Sequence, residues 1–188
     1  MIVLGCAGVN PANILMYIPA SSRSHVSAWE PLARGLARSG HHLTFVSSYK
    51  LQPEVNFTQI LVKSKALKEI DEDFRSILLA SDSVLGHIWK LLRMIYLFPD
   101  RMAEIHDEAL TEMKYVLNKK WDLVIANPFL NEVGIILGDH FQVPTIHFLP
   151  ANAEQFLSFS LGHPDNPAWS HPSADSLVSR SVVLLINI

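Results

Sequence analysis

Asn13-Ile-Leu-Met-Tyr-Ile18, then Pro19-Ala-Ser-Ser-Arg-Ser24, then His25, is the stretch that decides the fold. Ile14 to Ile18 is a short unbroken apolar run, the pattern of a strand buried on both faces of a parallel sheet. An amphipathic segment follows from Ala28 to Ser39, with Trp29, Leu32, Ala33, Leu36 and Ala37 on one stripe. Pro31 fits the first turn of such a helix, where a missing N–H costs least, and Ser27 with Glu30 has capping-box spacing. Gly40 supplies a C-cap, and His42 to Val46 reads as the next strand. Ligands of such β-α-β sheets collect where strands end and helices start. His25 falls at that rim. A helix N-terminus disfavours imidazolium, so a ring held there is a usable general base.

The pattern continues outward from this unit. Phe57 to Val62 reads as a third strand. Residues Ala66 to Lys119 are helical, with breaks expected near Ser81-Asp82 and at Pro99-Asp100. Ile77, Leu78, Leu85, Ile88, Trp89, Leu92, Ile95 and Tyr96 make a broad apolar surface, and Met102, Ile105, Ala109, Met113 and Val116 form a clear stripe. Trp121 to Ala126 is another buried strand, Glu132 to Phe141 a helix, and Pro144 to Leu149 a further strand. The alternation gives an α/β class: a Rossmann-like, doubly wound parallel sheet. From Pro150 the chain turns loop-rich, punctuated by Pro164, Pro167 and Pro172, and its apolar end, Ser181 to Ile188, needs a partner.

Composition narrows the function. A chain of 188 residues, 49% hydrophobic and 18% charged, can bury one sizeable core. Its net charge of −3, with scattered Lys and Arg, carries no footprint for nucleic acid. Cys6 is the single cysteine, so there is neither an intrachain disulfide nor a cysteine metal cluster. No apolar run reaches the roughly 18 residues of a membrane span. Residues 1–11 read either as a signal-peptide remnant or as an ordinary N-terminus. Asn56-Phe57-Thr58 is an N-glycosylation sequon, meaningful only in the secretory path. The turn from Pro19 to His25 contains no glycine, which excludes the G-x-G-x-x-G cradle of NAD and FAD. His41, His42 and His147 show no metal-ligand spacing and read as strand and surface residues.

Several segments together resemble the start of UDP-glycosyltransferases. They are Asn13-Ile-Leu-Met, Ser24-His25, Pro31-Leu-Ala-Arg-Gly-Leu-Ala-Arg-Ser-Gly-His41 and Leu43-Thr-Phe-Val-Ser47. Trp121-Asp-Leu-Val-Ile-Ala126, Val143-Pro144 and Gly162-His-Pro-Asp-Asn-Pro167 agree with them. The likeness is to the animal UDP-glucuronosyltransferase and ecdysteroid-glucosyltransferase type. It implies the N-terminal half of a GT-B enzyme: residues 12–168 as the acceptor-binding domain and 169–188 as a truncated tail. It further implies transfer of a hexosyl or glucuronosyl group, with inversion, to a small lipophilic acceptor. The UDP-sugar is then a co-substrate, held mainly by a C-terminal domain absent here, so the family needs no cofactor. The family also implies the endoplasmic reticulum lumen or membrane, attachment through a C-terminal helix, and homo- or hetero-oligomers. The alternative is a catalytically silent isoform or fragment that binds lipophilic ligands or pairs with full-length relatives.

By this resemblance His25 matches the catalytic histidine. Many members place an aspartate just after the strand that ends here at Ala126, and this chain has Asn127. An amide can orient an imidazole but brings no charge to its protonated form. In a serine-protease triad the same aspartate-to-asparagine exchange costs about 10⁴ in turnover. Glu132 is the nearest substitute carboxylate, and a charge favourable to its helix N-terminus in any case. Asp122 precedes its strand, at the wrong end. Trp89, Met94, Tyr96 and Phe98, with Phe148, Asn152 and Phe156 after the last strand, are the candidate acceptor walls. Ser21 and Ser22 read as turn formers or as contacts to ligand in the cleft.

Overall fold

The computed structural model describes residues 10–79, 83–128, 132–149 and 183–187. The elements run β1 (Asn13–Ile18), α1 (Arg23–Arg38), β2 (His42–Ser47), β3 (Phe57–Leu61), α2 (Lys65–Leu78), α3 (Val84–Met113), β4 (Leu123–Ala126), α4 (Glu132–Phe141), β5 (Thr145–Leu149) and β6 (Val183–Asn187). They build one six-stranded sheet in the order β3-β2-β1-β4-β5-β6. The first five strands are parallel, and β6 runs antiparallel beside β5. The doubly wound α/β class read from the sequence is the class observed.

Alternation along β1 feeds two cores. Leu15 and Tyr17 join Val124, Ala126, Ala109, Met113 and Leu137 on the side of α3 and α4. Ile14, Met16 and Ile18 join Val26, Trp29, Ala33, Phe45 and Phe148 on the side of α1. Each of these larger side chains contributes about 1.5–3 kcal/mol by leaving water, which is why the central strands are apolar throughout. Trp29 meets the edge of Phe148 at 5.0 Å and 75°, locking α1 onto the sheet.

Two helices differ from expectation. Helix α1 starts at Arg23, so Pro31 lies inside it and His25 belongs to its first turn. No capping box forms at Ser27 and Glu30: Ser27 Oγ donates to the Arg23 carbonyl, and Glu30 pairs with Arg34 at 2.6 Å. Proline is tolerated because the carbonyl it leaves unpaired, that of exposed Ser27, faces water. Helix α3 likewise runs through Pro99 without a break. The carbonyl orphaned there belongs to Ile95, itself 56% exposed. The break expected at Ser81-Asp82 lies outside the described residues, between the end of α2 and the start of α3. Gly40 follows the C-cap of α1 at φ 94, as a C′ glycine should. In the C-terminal tail, β6 pairs its backbone with β5.

The thirty residues of α3 extend roughly 45 Å, against roughly 20 Å for the strands. Its C-terminal half packs on the sheet through Ile105, Ala109 and Met113. Ile105 and Met102 already sit level with Ala20, just past the end of β1. The N-terminal half therefore stands beyond the carboxyl rim, braced by α2. Arg101, 9% exposed, pins the two helices through Asp73 at 2.5 Å and Glu69 at 3.4 Å.

His147 is not a surface residue. It is 1% exposed in the middle of β5, and neither ring nitrogen has a hydrogen-bond partner among the described residues. Burial holds its pKa below the usual 6.5. The unfolded chain therefore binds a proton that the folded chain refuses, so stability is complete above about pH 6.5 and falls as pH drops below it. Thermal melting from pH 8 to pH 5 should show this loss, at most about 1.4 kcal/mol per pH unit. His147→Leu should flatten the profile; an unchanged slope would place the titrating group elsewhere.

Candidate functional site at the carboxyl rim

The sheet changes direction between β1 and β4. From β1 the chain winds outward through β2 and β3, then returns to β4 and winds the other way through β5. In an open α/β sheet the ligand crevice lies at such a switch point, outside the carboxyl ends of the strands, here β1 and β4. The register pairs Tyr17 with Ala126, so the two strands leave the rim together. Pro19-Ala-Ser-Ser and α1 continue the chain on one side of the crevice, Asn127 on the other.

His25 is the third residue of α1 and is exposed at this rim. Ser22 is the N-cap residue, yet its hydroxyl caps no backbone N–H. It lies 3.2 Å from His25 Nδ1 and 2.9 Å from Ser24 Oγ. The hydroxyl that would ordinarily serve the helix end serves the imidazole instead. Ser22, read from sequence as a turn former or ligand contact, is thus the imidazole's partner; the signal was its place three residues before the histidine. Ser21 beside it is buried.

Asn127 is 5% exposed, seated directly after β4. Glu132 opens α4, and its side chain is outside the described set, as is Asn152. Asp122 lies at the opposite edge, where its carboxylate accepts from Asn13 N–H at 2.7 Å. Phe148 is 6% exposed and belongs to the core under the rim. The α3 candidates separate onto two faces. Phe98 packs toward Ala66, Ile70 and Ile105, while Trp89 and Tyr96 are 70% and 80% exposed on the outside.

Sequence reading passed over two tyrosines. Tyr49 Oη donates to Asp71 Oδ2 at 3.3 Å, so it ties the segment after β2 to α2. Burial, with help from the Asp71 charge, raises its pKa. Tyr49, Ser48, Ser64 and Lys65 line a cleft of about 390 Å³ on the same rim. Under the switch point, Tyr17 Oη and His106 Nδ1 lie 2.9 Å apart, both buried, and burial pushes the phenol pKa up. Neither pair was visible in the spacing, because each joins residues from distant elements. No group of three His, Cys, Asp or Glu among the described residues could hold a metal.

Comparison with known proteins agrees with the fold. No family model matches the chain. It is 26% identical over 168 residues to "UDP-glycosyltransferase UGT5" of Dactylopius coccus, covering 84% of this chain and 30% of that protein. It is 27% identical over 165 residues to "UDP-glucosyltransferase 2" of the same insect, covering 85% of this chain and 30% of that one. The chain thus spans about a third of the length of these relatives. Its fold matches the crystal structure of CalG4, the calicheamicin glycosyltransferase, with TM-score 0.54 and 18% identity, over 84% of this chain and 38% of that one. The architecture is therefore a Rossmann-like unit matching part of a GT-B glycosyltransferase, and the chain is similar in sequence to insect UDP-glycosyltransferases.

Because Ser22 makes no backbone cap, Ser22→Ala should leave α1 nearly as stable, without the ~1 kcal/mol usually lost with a cap. A chemical denaturation curve checks this. A loss of a full cap's worth would mean that the hydroxyl serves the helix after all.

Proposed function

We propose that the chain is the acceptor-binding part of a UDP-sugar-dependent glycosyltransferase, with His25 as general base. The observation that carries this is His25 standing exposed at the switch point, its Nδ1 engaged by Ser22. When Nδ1–H donates to Ser22 Oγ, and Ser22 Oγ–H donates to Ser24, the Nε2 lone pair is left for a substrate proton. The acceptor oxygen attacks the anomeric carbon in line as its proton passes to Nε2, UDP leaves, and configuration inverts. Base assistance of this kind is worth about 10²–10⁴-fold. The serine relay fixes the ring but adds no negative charge, and Asn127 adds none. This base therefore suits acceptors that need little of it: acidic phenols, and amines, whose nitrogen can attack before it gives up a proton. The acceptor is small and lipophilic, and the UDP-sugar is held chiefly by a C-terminal half.

The test joins this chain to the C-terminal half of the similar Dactylopius enzyme and measures transfer to a panel of phenols, alcohols and amines. His25→Ala should lower kcat by about 10²–10⁴-fold with little change in KM. Equal turnover in that variant removes the assignment. Asn127→Asp should raise turnover on weakly acidic alcohols more than on amines; no change on either shows that this position does not serve the base.

The amide at 127 also favours a second reading, a silent chain that binds lipophilic ligands or pairs with full-length relatives. Acceptor binding with no transfer in the joined protein, even with Asn127→Asp, would support it.

We further propose passage through the endoplasmic reticulum lumen. Asn56 is exposed, at φ 59, a conformation asparagine accepts more readily than most residues. Expression behind a signal peptide should therefore yield a glycan whose removal shifts electrophoretic mobility. Thr58→Ala should abolish that shift without disturbing the Asn56 turn; a shift that persists would locate the glycan elsewhere.

A further inference from the structure

Helix α4 and strand β5 are joined by the short turn Gln142-Val143-Pro144, and a cavity of about 430 Å³ lies between them. That size suits a small ligand. The cavity sits at the amino end of β5, where Val124 N–H donates to the Pro144 carbonyl. It is therefore at the opposite edge of the sheet from His25, and neither His25 nor Asn127 lines it.

Two features of its wall work against stability. His147 is buried there, and neither ring nitrogen has a hydrogen-bond partner among the described residues. A neutral imidazole carries one donor and one acceptor, and leaving either unmet in the interior is costly. Asp139 is exposed in the last turn of α4, where a carboxylate opposes the helix dipole. Among the described residues its side chain meets only the Gln142 amide, at 3.5 Å. A third feature makes the cavity rigid. A Cβ at Gly138 would stand 1.7 Å from Thr145 Oγ1, so the glycine lets α4 seat directly on the start of β5.

We infer that this cavity is a binding site for a small organic amine, one whose ammonium group meets Asp139 and whose apolar body carries a hydroxyl to His147. The mouth favours a cation, because the end of α4 is the negative pole of the helix and Asp139 stands on it. Ile135, Val143 and Pro144 supply the apolar wall that a hydrocarbon body needs. Burial keeps the His147 imidazole uncharged near neutral pH, so it does not repel the ammonium. An uncharged ring accepts from a hydroxyl at one nitrogen or donates to it from the other. An anion would face Asp139 with no cation in the wall to hold it. A metal ion would find one imidazole and one carboxylate, fewer protein ligands than a zinc site uses.

Tyramine carries both groups on one ring, and two analogues remove them in turn. Phenethylamine lacks the hydroxyl, and 4-hydroxyphenethyl alcohol lacks the charge. Tyramine titrated into the isotopically labelled 188-residue chain should shift the His147 ring and the Gly138 and Thr145 amides saturably in NMR spectra. Each analogue should bind about 10-fold more weakly. Asp139→Asn should weaken tyramine about 10-fold and leave 4-hydroxyphenethyl alcohol unaffected. That side chain is exposed, so far-UV circular dichroism should not change. His147→Leu should erase the difference between tyramine and phenethylamine. Absence of saturable His147 shifts up to about 10 mM tyramine overturns the inference. So do shifts confined to His25, or a tyramine affinity indifferent to Asp139→Asn.

Discussion

Strand β1 is held from both sides by parallel neighbours, β2 and β4, and that arrangement organises the rest of the molecule. Ile14 to Ile18 are almost wholly buried, since one face of the strand serves the α1 core and the other serves the α3–α4 core. A strand so constrained fixes where its last residue stops. The chain then has to reverse its winding direction between β1 and β4, and the gap left by that reversal is the crevice. His25 owes its position to the strand before it, and Asn127 owes its position to the register of β4 on β1.

The start of α1 departs from the usual capping pattern. Ser22 is well placed to cap α1, yet its hydroxyl turns to the imidazole and to Ser24. The first turn contains no acidic residue to complement the helix dipole and instead begins with Arg23. Tyr49, just past β2, bonds Asp71 of α2 on the same rim.

The strands were legible because two-sided burial favours short apolar runs: those of β1 and β4 are unbroken, and those of β2 and β5 are interrupted only by Thr44 and His147. Helix boundaries were less legible. Pro31 and Pro99 carry the signals of a first turn and of a break, but each orphans a carbonyl that water can reach, so both sit inside helices. The outer stripe of α3 was legible as apolar but not as outward-facing. Periodicity reports that one side of a helix differs from the other, and the packing of α2 decides which side turns in. The position of His25 followed from the β-α-β pattern, whereas its Ser22 partner depended on a helix that starts at Arg23, upstream of the apolar stripe. The pairs Tyr17–His106 and Tyr49–Asp71 join residues 89 and 22 positions apart, which no short spacing encodes.

The proposed function requires the crevice between β1 and β4 to receive the acceptor at His25. The most direct measurement is a titration of the isotopically labelled chain with a phenolic acceptor, followed by the histidine ring resonances in NMR spectra. Binding at the crevice predicts that the His25 signals shift saturably, joined by the Asn127 side-chain amide, while those of His42 at the opposite edge of the sheet stay fixed. Saturable shifts confined to the His42 edge, with His25 and Asn127 unmoved, would contradict it.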